Sequence, residues 1–368
     1  MRIGIDYRPA WAHAPGVGRY TRELVRALAK LPAPPELALF ELGDPQREVD
    51  DEALGLAGSH AIAKRVRGPL PRRAVRVLGR FGLSVDRLLG GVELFQHTAD
   101  RLPVRFARQC TAVAELPPRG TPQFAAHAAW LRSLDGLLVF SAHAAQRLVD
   151  ECGADPTRVH FTPVGCEHWR RELPASALRR PTDDAAPLRV IALGALRSDA
   201  RPLVLLEACE RLRAGGLEVE LTSVGRAGDA AEAWTRRRAA SPLGEAVRWI
   251  SEPRESELPG LVARADVLVQ LEEEVLTPVT ALEACSLGPA VVAARQPVLR
   301  EALGELAEWT EPGAGPDALA DALASARPRA RDEAERERRQ ALAERFDWRG
   351  CALATQLAWR RILSPRGA

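Results

Sequence analysis

Two glycines near the start of the chain lie where a loop could bind an anion. Gly16 and Gly18 stand between a strand-like segment, residues 3–6, and a helix predicted to begin near Tyr20. Glycine lets backbone N–H groups come close to a ligand, and a helix N-terminus attracts negative charge. Arg19 adds a cation beside the glycines. The spacing favours an anion-binding loop, and the alternative is an ordinary tight turn.

The charge composition limits how the second half of the chain could hold a phosphate. The chain has 51 Lys and Arg against 49 Asp and Glu, and its net charge of +2 gives no reason to expect nucleic-acid binding. Lys30 and Lys64 are its only lysines. A phosphate bound by the second half would therefore have to be held by arginine or by backbone amides.

The cysteines and the apolar runs indicate whether the protein binds a metal or cofactor and in which cellular compartment it lies. The six cysteines are scattered without a C-x-x-C pair, so we expect reduced thiols, no metal and no cofactor. The chain opens with strand-like residues 2–6, which leaves no room for a signal peptide, and no apolar run reaches the roughly 18 residues of a membrane span. We expect a cytoplasmic protein with at most peripheral contact at the inner face of the membrane. The basic, partly apolar segment 65–87 is the candidate for that contact, and the alternative is a solvated helix and loop.

Short apolar segments alternate with amphipathic helices along the chain. Strand-like residues 136–140 precede a helix predicted over 142–151, and strand-like residues 188–193 open a second cycle. Such alternation predicts parallel sheets flanked by helices, an α/β fold. A polar stretch, residues 173–187, interrupts the rhythm and is predicted to be a linker.

The 368 residues therefore divide into two predicted domains, because one hydrophobic core seldom serves so long a chain. The first covers residues 1–172 and the second residues 188–345. A ligand is expected between them, at the carboxyl ends of the strands.

Five motifs in order resemble retaining family 4 glycosyltransferases, the group 1 kind, over essentially the whole chain. They are IGIDYRP with GVGRYTREL, VFSAHAAQRL with TRVHFTPVGCE, ARADVLV, ALEACSLGPAVVA and RFDWRGCALAT. The resemblance implies the glycosyltransferase B architecture, two Rossmann-like domains facing across a cleft. It also implies that a closing helix, residues 346–364, packs back on the first domain.

The resemblance further implies the partners and some of the binding residues. The donor is a UDP-, GDP- or ADP-linked sugar, the acceptor is a glycan or glycoconjugate held by the first domain, and the anomeric configuration is retained. The loop with Gly16 and Gly18 lies near the donor diphosphate. Glu283 matches the glutamate that binds the nucleotide ribose, and the alternative is a carboxylate that only stabilises its helix.

The first departure from the family pattern concerns the donor sugar. The family's sugar-contacting glutamate falls at Val275, and a slip of one residue would bring Glu274 into its place. The family's glycine-flanked segment also contains Pro278 here, which has no backbone N–H to offer.

The second departure concerns the diphosphate. The family's Arg-Lys pair falls at Asp199 and Ala200, so an acid stands where a cation is expected. Arg197 and Arg201 flank the gap and are candidates to replace the pair, the alternative being solvent-exposed loop arginines.

The third departure concerns a histidine near the reacting sugar, whose place is taken by Ala114. His97, at a predicted strand end, is the surviving candidate, the alternative being a structural histidine.

Two hypotheses follow. In the first, the protein is a retaining glycosyltransferase with a rebuilt site, using Glu274 with Arg197 or Arg201. In the second, it is a catalytically inactive relative that serves as a partner or regulatory subunit. A rebuilt site requires those three side chains to face it, whereas solvent-facing side chains with Val275 and Pro278 filling the pocket favour the inactive relative. A periplasmic-type binding protein and a Rossmann dehydrogenase fit less well, because the sequence opens without a signal peptide and lacks a G-x-G-x-x-G after a strand.

Overall fold

A computed structural model describes residues 1–11, 16–43, 55–56, 58–69, 82–98, 101–174 and 185–364. The chain forms two compact units, one made of Met1–Gly165 with Asp347–Ala368 and the other of Cys166–Phe346. The sequence-based division placed the boundary later and counted residues 173–187 as a linker. Residues 175–184 of that linker lie outside the described part.

The first unit is a seven-stranded parallel sheet with the strand order β3-β2-β1-β4-β5-β6-β7. Its strands are β1 Arg2–Asp6, β2 Glu36–Gly43, β3 Ile62–Pro69, β4 Leu94–His97, β5 Arg108–Ala112, β6 Gly136–Val139 and β7 Val159–Phe161. Its described helices are α1 Arg8–Trp11, α2 Val17–Ala29, α3 Val85–Leu88, α4 Pro122–Ser133 and α5 Ala142–Cys152, together with the last helix of the chain, Trp348–Leu363.

The second unit is a six-stranded parallel sheet with the order β10-β9-β8-β11-β12-β13. Its strands are β8 Leu188–Leu193, β9 Val219–Val224, β10 Val247–Ile250, β11 Val267–Gln270, β12 Ala290–Ala294 and β13 Ala307–Thr310. Its helices are α6 His168–Arg171, α7 Pro202–Ala214, α8 Ala231–Ala239, α9 Leu258–Arg264, α10 Val279–Leu287, α11 Pro297–Leu303, α12 Pro316–Arg331 and α13 Glu333–Ala343. The last helix of the chain is α14.

Local sequence accounts for several of these boundaries. Ser141 caps α5 by accepting a hydrogen bond from the N–H of Ala144 (3.0 Å), and Gly288 ends α10 with φ 107°, which glycine adopts readily. Asp266 fixes the start of the second sheet, because its carboxylate accepts from the N–H of Arg189 at 2.8 Å. Strands β8, β11 and β12 are almost entirely apolar, as expected for parallel strands covered on both faces.

The predicted α/β class is confirmed, but one local prediction is wrong. A solvated helix and loop was the alternative expected for segment 65–87, whereas residues 62–69 form β3 at the edge of the first sheet. Arg65 and Arg67 of this strand pair with the buried carboxylate of Glu41 on β2. Edge strands tolerate charged residues, so β3 lacks the apolar run that marks an inner strand. Residues 70–81 lie outside the described part, and peripheral membrane contact stays a prediction.

Candidate functional site

The second unit contains a switch point, where the strand order reverses between the neighbouring strands β8 and β11. The chain leaves β8 toward β9 and β10 on one side, and leaves β11 toward β12 and β13 on the other. In open parallel sheets, ligands bind in the crevice outside the carboxyl ends of the strands at such a point. Gly194 follows β8 directly, and Glu272 comes two residues after β11.

Two glycine loops form one wall of this crevice. A Cβ atom added to Gly225 would lie 2.0 Å from the carbonyl oxygen of Gly194, so the two backbones touch. Gly194 (φ 134°) and Gly225 (φ 145°) adopt backbone angles that side chains disfavour. The loops are also joined by a hydrogen bond from the N–H of Leu196 to the oxygen of Arg226, at 3.0 Å. The result is a smooth backbone surface that a ligand can approach closely.

Glu272 points a carboxyl group at this surface. Its Oε1 lies 3.8 Å from the position that a Cβ on Gly194 would take. Its Oε2 is buried and has no hydrogen-bond partner among the described residues. Burial raises the pKa of Glu272 to about 7; its own backbone N–H and Arg197 oppose the rise, whereas Asp199 adds to it. Glu274 was the acid predicted for this place. The sequence signal for Glu272 is that it is the first acid after a buried strand.

Arg197 and Asp199 are bound to each other beside Glu272. The Arg197 guanidinium donates to both carboxylate oxygens of Asp199, at 3.0 and 2.7 Å, while 58% of its side chain stays exposed. Ser198 between them donates through its N–H and hydroxyl to Asp229, at 2.9 and 2.8 Å. The turn is thus held by its own side chains, with an arginine at its outer face.

Arg201 precedes α7 in a strained backbone conformation. Its φ of 53° makes it the one non-glycine residue with positive φ in the described part of the chain. Its Nη2 donates to the oxygen of Gly313 at 3.1 Å. A side chain in this region costs about 1–3 kcal/mol, which ordinary turns avoid. Helix α7 therefore starts from an uncommon left-handed residue whose side chain is bonded to a distant loop.

Glu283 lies on α10 and is fully buried, in contact with His168. His168 Nε2 is 3.2 Å from Glu283 Oε1, and the histidine side chain is 4% exposed. Helix α6, which carries His168, lies against α10. The histidine is therefore a close neighbour of this carboxylate. No sequence pattern indicated this contact, because the two residues are far apart along the chain.

The three residues between the crevice and α10 differ in exposure. Glu274 is exposed, whereas Val275 and Pro278 are buried. Pro278 immediately precedes α10, and its oxygen accepts the N–H of Leu282 at 3.0 Å. Glu272, not Glu274, is thus the acid next to Gly194.

In the first unit, the glycine pair divides between a turn and a helix. Gly16 is exposed with φ 66°, and a Cβ there would meet no atom within 4 Å. Helix α2 begins at Val17, earlier than predicted, so Gly18 and Arg19 are buried in its first turn. Residues 12–15, which precede Gly16, lie outside the described part.

His97 is buried at the end of β4, with both ring nitrogens in contact with protein groups. Its Nε2 lies 3.0 Å from Gln109 Oε1, and its Nδ1 accepts from the N–H of Leu102 at 3.4 Å. These partners favour the neutral tautomer with the proton on Nε2. Ala114 is half-buried just after β5. Within the described residues His97 is tied into its surroundings, as a structural histidine would be.

The second unit matches a known protein family. Residues 187–326, which include the switch point, match the family model of glycosyl transferases group 1. A search among curated proteins found no match to the chain.

Solved structures resemble the chain over nearly its whole length. A glycosyltransferase from Rickettsia africae gives a TM-score of 0.70 at 13% identity, covering 99% of each chain. HepE from Anabaena, in complex with UDP and glucose, gives 0.70 at 14%, covering 98% of each. The sucrose-phosphate synthase of Thermosynechococcus elongatus gives 0.71 at 18%, again covering 98% of each.

These similarities define the class by fold. The chain has the fold of GT-B glycosyltransferases, built from two Rossmann-like α/β units. Within that class, residues 187–326 of the second unit match the group 1 family model. Among the described residues, no group of three or more His, Cys, Asp or Glu side chains is arranged to hold a metal ion. None of the helices that the structure describes is long and apolar enough to cross a membrane.

Proposed function

We propose that the protein is a retaining glycosyltransferase of family 4, which transfers a hexose from a nucleotide sugar to a glycan or glycoconjugate. The observation that carries the proposal is the switch-point crevice of the second unit, with two touching glycine loops and an inward carboxyl, inside the group 1 domain. The complex of Anabaena HepE with UDP-glucose supports a nucleotide-sugar donor.

Each part of the crevice has a role that its chemistry suits. The backbone at Gly194 and Gly225 lets a diphosphate approach closely. Arg197 would leave Asp199 to neutralise the departing phosphate, and Arg201 would add a second cation at the start of α7. Glu283, which lies beside His168, would accept hydrogen bonds from the ribose hydroxyls.

The test is isothermal titration of the full chain with UDP, GDP, ADP and their common sugar conjugates. We expect micromolar binding of one nucleotide class. Glu283→Gln should weaken it about tenfold or more, because a buried site built for a hydroxyl loses a specific contact. His168→Gln should weaken it to a smaller degree, since it disturbs the orientation of Glu283 only.

Glu232→Gln is the matched control, because this glutamate lies on α8 with 85% of its side chain exposed. The affinity of this variant for the nucleotide should equal that of the unaltered protein. Circular dichroism should show that all variants are folded. If none of the nucleotides binds the unaltered protein, donor-dependent transfer is ruled out.

A catalytically inactive relative, acting as a partner or regulatory subunit, is the second candidate. It is favoured by the exposed Glu274, the buried Val275 and Pro278, and the Arg197 side chain that is already paired with Asp199. The two candidates differ in turnover. A transferase releases nucleoside diphosphate when donor and an extract of acceptors are supplied, whereas the inactive relative binds donor and leaves it intact.

A further inference from the structure

One oxygen of the Glu272 carboxyl lies buried in the crevice without a partner among the described residues. Glu272 Oε2 is enclosed and receives no hydrogen bond from any described residue. The other oxygen of the same carboxyl lies beside Gly194, where the absence of a side chain leaves room. A ligand lying on the glycine loops would therefore meet this carboxyl first.

An ionised carboxylate opposes the ligand class proposed above. The diphosphate of a nucleotide sugar is negatively charged and has no hydrogen-bond donor, so it would repel a carboxylate and could not satisfy its oxygens. A protonated carboxyl, in contrast, has an O–H that donates to an acceptor oxygen. Hydrogen bonds to a charged acceptor are about twice as strong as those between neutral groups.

We propose that Glu272 takes up one proton from solvent when a nucleotide sugar binds, and holds the diphosphate as a neutral carboxylic acid whose O–H donates to a phosphate oxygen. The inference rests on the proposed donor site in the second unit. It adds the residue that sets the charge state in which that site accepts its ligand.

The neighbouring charges leave the proton available near neutrality. Arg197 and Asp199, the described charged residues that act on Glu272, are paired with each other and shift its pKa in opposite directions. Burial is the larger cause and holds the pKa of the free carboxyl at about 7. Glu273 and Glu274 follow Glu272 but are exposed.

The pH dependence of binding follows from linkage. A bound diphosphate raises the pKa of Glu272 further, because its negative charge disfavours the carboxylate. Below the pKa of the free carboxyl the proton is already in place, and the affinity is constant. Above it the proton must be taken up, so the affinity falls by up to about tenfold for each pH unit.

The experiment is titration calorimetry of the full chain with UDP-glucose, GDP-mannose and ADP-glucose, from about pH 6 to about pH 8.5. The charge of these diphosphate diesters is constant over that range, so the pH dependence belongs to the protein. Titration in two buffers of different ionisation enthalpy measures the proton uptake directly. We expect uptake approaching one proton and an affinity that falls above neutrality.

Glu272→Gln is the decisive variant, because its amide donates to a phosphate oxygen at every pH. We expect it to bind without proton uptake, and about tenfold more tightly than the unaltered protein near pH 8. Glu273→Gln removes the same charge from the exposed neighbour and should retain the pH dependence. This pair separates a specific proton on Glu272 from a general change in local charge.

The outcomes distinguish the two proposals. Binding that is independent of pH, or a pH dependence unchanged in Glu272→Gln, overturns the role of Glu272 and leaves the donor site standing. Weaker binding of Glu272→Gln near pH 8 has the same consequence. Absence of binding by both proteins at every pH overturns the donor site, and the inference with it.

Discussion

At the scale of single residues, Glu272 shows that surroundings decide the chemistry of a side chain. Glu272, Glu273 and Glu274 are consecutive and chemically identical, yet the first has a buried carboxyl oxygen and the other two are exposed. Removing a carboxylate from water disfavours its charged form. What packs around Glu272 therefore raises its pKa, although its sequence neighbours are the same residue type.

The raised pKa of Glu272 predicts a pH-dependent effect on stability. Its pKa is about 7 in the folded chain, against 4.5 ordinarily. Between these values the folded state keeps a proton that the unfolded state has lost, so this contribution to stability is complete below the lower pKa and is lost as the pH rises through about 7. Glu272→Gln should thus be more stable than the unaltered protein by about 3 kcal/mol near pH 8, and equal to it near pH 4.

Thermal unfolding of both proteins at the two pH values checks this prediction. Glu273→Gln again serves as the control, with no stabilisation at either pH. A stabilisation by Glu272→Gln that is the same at both pH values would mean that the charge of this carboxyl does not matter for folding.

At the scale of elements, the contact between the loops after β8 and β9 builds the crevice. The contact is possible because residue 225 has no side chain: a Cβ there would stand 2.0 Å from one backbone oxygen. The N–H of Gly225 also donates to the oxygen of Ile250 at 2.9 Å, which fixes the loop against the end of β10. The loop therefore cannot move aside without losing a sheet contact.

Gly225→Ala should accordingly destabilise the second unit by about 3 kcal/mol or more, through backbone strain together with overpacking. Gly216→Ala is the matched control, because Gly216 also has positive φ (87°) but a Cβ there would meet nothing within 4 Å. The Gly216→Ala variant should lose about 1 kcal/mol of unfolding free energy from backbone strain alone. Denaturant unfolding measures both, and equal losses would contradict the clash.

At the scale of the whole molecule, the C-terminal end of the chain returns to the first unit. Helix α14 belongs to that unit, where Trp359 is fully buried and donates to Gln96 Oε1 at 2.9 Å. The helix also packs against β6, since a Cβ on Gly136 would lie 2.2 Å from the Ile362 side chain. Residues from both ends of the chain thus share one core.

A chain ended after Phe346 should therefore lose the cooperative unfolding of the first unit and keep that of the second. The loss of α14 removes buried side chains that include Trp348 and Trp359. Each large aromatic contributes about 3–5 kcal/mol to the free energy of unfolding. Calorimetry measures the two transitions. A chain ended after Leu363 is the control and should keep both; survival of the first transition without α14 would show that this unit folds alone.

The sequence by itself determined the α/β class and several inner strands. Residues 188–193 were predicted at the bounds that the structure has, because an inner parallel strand is a nearly continuous apolar run. The edge strand β3 was not predicted because its sequence is charged. The acid that pairs with its arginines is Glu41, which lies on another strand and is remote in sequence.

The tertiary structure decided which acid enters the crevice and which residue lies against Glu283. Local patterns report on neighbours a few residues apart, and they cannot tell which of three consecutive glutamates loses its water. That depends on Gly194, which follows a different strand, just as Glu283 lies against His168 of a distant helix. Burial by segments remote in sequence sets both, because desolvation and ion pairing act through space and not along the chain.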